Sequence, residues 1–133
     1  MLLGWQMDSE KITINMGAVD LGKVDLLVDE GYYGNRTDFI RTAIRNQLEK
    51  HEGEMNQTIS RKSMTVGALV YGRKDLERHR AAGEMLSISA IGMVSLAADI
   101  TPELARETIE SISVRGVFRA SKEVKDALAD RMS

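Results

Sequence analysis

The sequence predicts an α+β chain in two parts. A strand followed by two helices, able to close only as an intertwined dimer, precedes a small β/α repeat of solenoid-like character. Three observations carry this. Residues 11–16 alternate polar and apolar side chains as a strand does. Two helical patterns follow, and one strand with two helices cannot enclose a core in a single chain. From Ser87 onward the sequence repeats itself with a period of 24 residues.

In Lys11-Ile12-Thr13-Ile14-Asn15-Met16 the period of two puts Ile12, Ile14 and Met16 on one face and Lys11, Thr13 and Asn15 on the other. The first face must be buried. The second is short, polar and rich in hydrogen-bonding groups. If two copies pair these strands, the apolar faces bury one another's surroundings and the result is a two-stranded ribbon, a shape that the DNA major groove admits.

The first helix is expected from about Asp20 to Glu30, with Leu21, Val24, Leu27 and Val28 on one stripe and Gly31 as its stop. Asn35 is a good N-cap for the second, and Asp38 three residues later makes a capping-box-like pair. Phe39, Ile40, Ala43, Ile44 and Leu48 then form an apolar stripe that runs to about Lys50, with Arg36, Arg41 and Arg45 off it. The start of this helix presents unpaired N–H groups and the positive end of the helix dipole, a seat for phosphate. The dimer core expected from these patterns is Ile12, Ile14, Met16, Phe39, Ile40 and Ile44.

The order of these pieces is more specific than any one of them. The Lys-Ile-Thr-Ile-Asn-Met strand, the Gly-Tyr turn and the Asn-Arg-Thr-Asp-Phe-Ile-Arg helix start together resemble the ribbon-helix-helix (Arc/MetJ/CopG-like) superfamily of bacterial and phage DNA-binding proteins, over roughly Glu10 to His51. That resemblance implies a homodimer with antiparallel strands, double-stranded DNA as partner and no cofactor. It implies base contacts from Lys11, Thr13 and Asn15, and phosphate contacts from Asn35, Arg36 and Thr37. Three features depart from the pattern: Gly17-Ala18-Val19 at the first helix start, Gly22 inside that helix, and an extra residue at Tyr33-Gly34. The function it implies is a sequence-specific transcriptional regulator, such as a repressor. The alternatives are the antitoxin of a toxin–antitoxin pair and a self-assembling structural scaffold.

Charge gives no general support for nucleic acid. The formal net charge is −2, and residues 1–50 hold three Lys and three Arg against five Asp and three Glu. Affinity for DNA must therefore come from where charges sit. There is no cysteine, hence no disulfide framework or thiolate metal site. No apolar run is long enough to span a bilayer, and Asp8 and Glu10 interrupt any signal-peptide core, so a cytoplasmic protein without membrane association is expected. His51 and His79 lack metal-ligand spacing, and no phosphate loop, nucleophile elbow or paired-carboxylate motif is present, which points away from an enzyme and from a metal site. Trp5 either covers the ribbon edge or is disordered.

The domain reading follows: 1–51 for dimerisation and DNA, 52–63 as a linker or a frayed continuation of the second helix, and 64–133 as the repeat. Between Arg61 and Arg80 six basic residues face only Asp75 and Glu77, which reads as a solvated helix face rather than a second DNA contact. In the repeat, Ser87–Val94 matches Ser111–Phe118, Ile100 meets Val124 and Leu104 meets Leu128. A fainter copy begins near Met64, with Gly67 where the others have Gly92 and Gly116 and with Leu76 near the helix position. Each unit is one short strand and one short helix that must stack to bury its apolar face. Oligomerisation, up to a tetramer, or binding of a signal or partner is the expected role of this part.

Overall fold

A computed structural model describes residues 9–133. Trp5 and the rest of residues 1–8 lie outside the described residues. The chain divides into two compact units: 11–60, and 61–133 together with Ser9 and Glu10.

The first unit is helical. Helix α1 spans Ala18–Asp29, α2 spans Arg36–Lys50 and α3 spans Glu52–Arg61, the last crossing the unit boundary by one residue. Helix α1 ends in a Schellman arrangement: Gly31, at φ 83°, donates its N–H to Val28 O at 3.0 Å, and Tyr32 N donates to Leu27 O at 3.0 Å. A side chain at Gly31 would strain this left-handed turn, so the expected stop is also a conformational requirement. Segment 52–63 holds a separate helix, α3, which begins after the turn at His51. Glu52 and Glu54 in its first turn and Arg61 in its last complement the helix dipole.

Residues 9–17 form no strand in the single chain. A strand needs a hydrogen-bonded neighbour, and the described part of one protomer supplies none at this point. The α+β class holds, but its sheet comes from the second unit.

There, three parallel strands stand in the order β1-β2-β3: β1 Thr65–Tyr71, β2 Leu86–Leu96 and β3 Ile109–Arg119. Helices α4 (Arg73–Ala82), α5 (Pro102–Thr108) and α6 (Lys122–Ala127) follow them in turn, and a 3-10 turn, Ala129–Arg131, closes the chain. The repeat is visible in the register. Ser87 pairs with Ser111, and Thr65 pairs with Ala90, so the fainter copy lies one residue further off than the clear one. Gly67, Gly92 and Gly116 form a row across the sheet, all at φ between 127° and 136°. A Cβ on Gly92 would lie 2.2 Å from Gly67 O, and one on Gly116 would lie 2.1 Å from Gly92 O. Gly92 and Gly116 therefore let the preceding strand approach, and glycine at these two positions has a steric cause.

Alternation puts Ile88, Ala90, Val94 and Leu96 of β2 inward, where they meet Leu76, Leu104, Val124 and Leu128 from the helices in a single core. The helical legs are not in step with the strands. Thr101 caps α5 by accepting from Leu104 N at 3.1 Å, and Ser121 caps α6 by accepting from Val124 N at 3.2 Å. Leu104 is thus the counterpart of Val124, third residue of its helix, which corrects the expected matches of Leu104 with Leu128 and of Ile100 with Val124. A longer loop after β2 absorbs the difference. Thr108, the one buried polar residue among the described residues, donates to Leu104 O at 2.7 Å and so leaves no unsatisfied hydroxyl.

Candidate nucleic-acid interface

The first unit is short of a core. Val24 is its one buried hydrophobic residue among the described residues. Helix α2 buries nothing, although Phe39, Ile40, Ile44 and Leu48 lie on one stripe; Phe39 and Ile40 are partly covered, while Ile44 and Leu48 are exposed. Ile12 is 72% exposed and Ile14 58%, with Met16 also exposed. These are the residues expected to form the dimer core, and in one protomer they face solvent. Fully burying a side chain of this size contributes about 1.5–3 kcal/mol. Exposed apolar side chains in segment 11–16 and on the α2 stripe are the kind of surface that a partner covers.

Lys11, Thr13 and Asn15 are exposed as well. Their alternation with the isoleucines is intact in sequence, but with no strand formed the structure does not aim them as a group.

The start of α2 is built in more detail. Asn35 accepts from Asp38 N at 2.8 Å, as expected of an N-cap. Asp38 reaches past Asn35 and accepts from Gly34 N at 2.9 Å, so the reciprocal half of the box falls one residue earlier. Packing of Tyr33 edge-on against Phe39, with ring centroids 5.0 Å apart, fixes the entry into the helix. The extra residue at Tyr33-Gly34 is thereby accommodated in the turn. Thr37 is exposed in the first turn.

Arg36 is held by a partner the sequence did not announce. Its Nε donates to Asp25 Oδ1 at 2.7 Å and its Nη2 to Asp25 Oδ2 at 2.9 Å, a bidentate pair that ties α2 to α1. Hydrogen bonding to this guanidinium holds the Asp25 carboxyl below its ordinary value, and the carboxylate raises Arg36 in turn. Both groups are largely exposed, so the pair orients more than it stabilises. Asp25 lies one position from Val24 in a helix pattern otherwise read for its apolar stripe, and nothing local in the sequence marks it.

The basic cluster of 61–80 behaves as a solvated face. Arg73 pairs with Glu77 at 3.2 Å, Arg80 with Glu107 at 3.8 Å, and Arg78 with Asp75. Asp75 also accepts from Gly72 N at 2.7 Å, and that backbone bond leads in lowering its carboxyl. Among the described residues no group of His, Asp and Glu side chains could hold a metal ion, and no helix is long and apolar enough to cross a membrane.

The first unit is thus a set of short helices whose apolar stripe on α2 is left partly or wholly uncovered in the single chain. The sequence profile of the ribbon-helix-helix transcriptional regulator family matches residues 7–125. The chain belongs to that family. Regulators of the family bind DNA and typically dimerise. The match extends through most of the β/α repeat, well beyond the segment whose motifs carried the resemblance. No curated protein and no solved structure matches the chain.

Proposed function

We propose that the protein is a sequence-specific transcriptional regulator that works as a homodimer. Two copies pair residues 11–16 antiparallel, and the ribbon enters the major groove. The observation that carries this is the exposure of Ile12 and Ile14, together with that of Ile44 and Leu48 on α2, in a chain of this family. Pairing covers Ile12, Ile14 and Met16 with Phe39, Ile40 and Ile44 of both protomers, and it turns Lys11, Thr13 and Asn15 to the other side.

The chemistry of that second face suits base edges. Lys donates to guanine O6 or N7, Asn bonds adenine bidentately, and Thr serves either edge or meets a thymine methyl. Asn35, Arg36 and Thr37 at the start of α2 take the flanking phosphates, where backbone N–H groups and the helix dipole favour an anion. Phosphate contacts set position and the strand face sets sequence. No step requires a cofactor, a metal or catalysis.

The folded repeat weighs against the antitoxin reading. A toxin-wrapping segment gains its order from its partner, whereas residues 76–128 already enclose a core of their own. Selection of bound sequences from a random DNA pool tests the proposal. The expected result is enrichment of a two-fold symmetric site that the variant T13A/N15A no longer enriches. Enrichment of the same site by both proteins would reject the groove assignment.

A further inference from the structure

The β/α repeat is closed at one end and open at the other. At the β3 end, Ser133 N donates to Ile112 O at 3.1 Å and Met132 bridges Ile112. Arg131 Nη1 donates to Ile109 O at 2.7 Å, and Arg106 pairs with Asp130 at 2.8 Å to hold the final turn in place. Arg115 and Arg119 add charge to the same strand. This is how a stacked repeat ends: polar groups and a covering segment on the last unit.

Among the described residues strand β1 has no such covering segment, though Ser9 shares a cavity with Val66, Gly67 and Ala68. Its outer edge pairs with no strand among the described residues. Thr65-Val66-Gly67-Ala68-Leu69-Val70-Tyr71 contains no charged residue and no proline. Val66 is 63% exposed and Val70 68%. The row of glycines also ends open here. Among the described residues the Cβ position of Gly67 has no atom within 4 Å, whereas those of Gly92 and Gly116 run into the preceding strand. An edge that is uncharged, apolar and seven residues long is a template for another strand unless something occupies it.

We infer that β1 is an interface with β1 of a second copy, the two strands pairing antiparallel about a two-fold axis to join two three-stranded sheets into one of six. Antiparallel edge pairing is self-complementary, so it consumes both open ends and stops, as an isologous contact does. Pairing β1 to β3 of the next copy would instead meet the Met132 and Ser133 covering and the arginines of β3. The ribbon dimer, whose existence rests on the function proposed above, holds two β1 strands on one assembly and raises their mutual concentration.

The chain has no cysteine, so single cysteines report the contact directly in the full-length protein. The variants are V66C, A68C and V70C, with mild oxidation followed by denaturing electrophoresis. In an antiparallel pair the separation of equivalent residues grows by about 14 Å for every two residues from the axis. The expected result is a disulfide-linked dimer that forms readily at one position and several-fold less at the position farthest from it. No cross-link at any of the three, or equal cross-linking at all three as parallel pairing would give, overturns the inference. A fourth variant, T13C, reports the N-terminal pairing on its own. Cross-linking there with none in β1 rejects the β1 interface and leaves the ribbon standing. Cross-linking in β1 with none at position 13 supports the β1 interface and counts against the ribbon.

Discussion

Asp25 and Arg36 form a bidentate ion pair, at 2.7 and 2.9 Å, between the two helices that frame the expected phosphate seat. The pair joins the fold to the function. It sets the angle at which α2 begins, and it occupies two of the five N–H donors of the arginine expected to meet DNA. Arg36 is therefore oriented and partly neutralised before any DNA arrives.

Two substitutions separate these effects. R36A is expected to weaken binding to every DNA sequence alike and to reduce the salt dependence by up to about one counterion. D25A is expected to raise sequence-independent affinity, since the guanidinium keeps its charge and loses its internal anion. Gel-shift titrations over a salt series on operator and scrambled DNA check both. A specific loss of operator discrimination in R36A would move that residue from the backbone to the bases.

The same pair gives a pH signature. Its arginine holds Asp25 below the ordinary carboxylate value of 3.8. A carboxyl depressed on folding contributes fully above that value and loses its contribution as pH falls through the depressed one. A carbonyl-carbon NMR titration of Asp25 is thus expected to show a midpoint below 3.8 in the native protein and close to it in R36A.

In the proposed ribbon, base reading rests on Thr13 and Asn15. T13A and N15A are each expected to lower discrimination against the wrong base by about 1–3 kcal/mol. The dimer should keep its mass in light scattering, because neither side chain belongs to the apolar face. Dissociation of the dimer by either change would mean that the faces of the strand are reversed.

The glycine row makes a stability ranking. G67A meets only the cost of a backbone region that side chains rarely adopt, about 1–3 kcal/mol, because among the described residues no atom lies near its Cβ position. G92A and G116A add contacts of 2.2 and 2.1 Å with a neighbouring carbonyl oxygen and are expected to lower the melting temperature well beyond G67A. Calorimetry of the three variants checks the order. Equal losses would show that sterics between strands do not set these positions.

What the sequence disclosed follows a physical rule. Features set by local periodicity or capping were legible: α1 and α2, the Gly31 stop, the Asn35 cap, and the strands of the repeat through Ser87 with Ser111. Features set by contacts distant in sequence were not. Asp25 meets Arg36 only because two helices fold together. Asp38 turned to Gly34 instead of Asn35 because of local geometry within the turn. Helix α3 was half-seen, since its polar sequence fits a helix and a linker alike. The offset of α5 from α6 depended on loop length, which a fixed repeat period conceals. Segment 11–16 is a different case: its alternation is plain, but a strand is a relation between two segments, and the described part of one chain offers it no second one.

The most direct test is an isotope-filtered NOE experiment on a dimer mixed from labelled and unlabelled protomers. Cross-peaks between the backbone of residues 12–15 in one protomer and the same residues of its partner, in an antiparallel pattern, are the expected result. A folded monomer, or a dimer in which these residues show no contact between protomers, would contradict it.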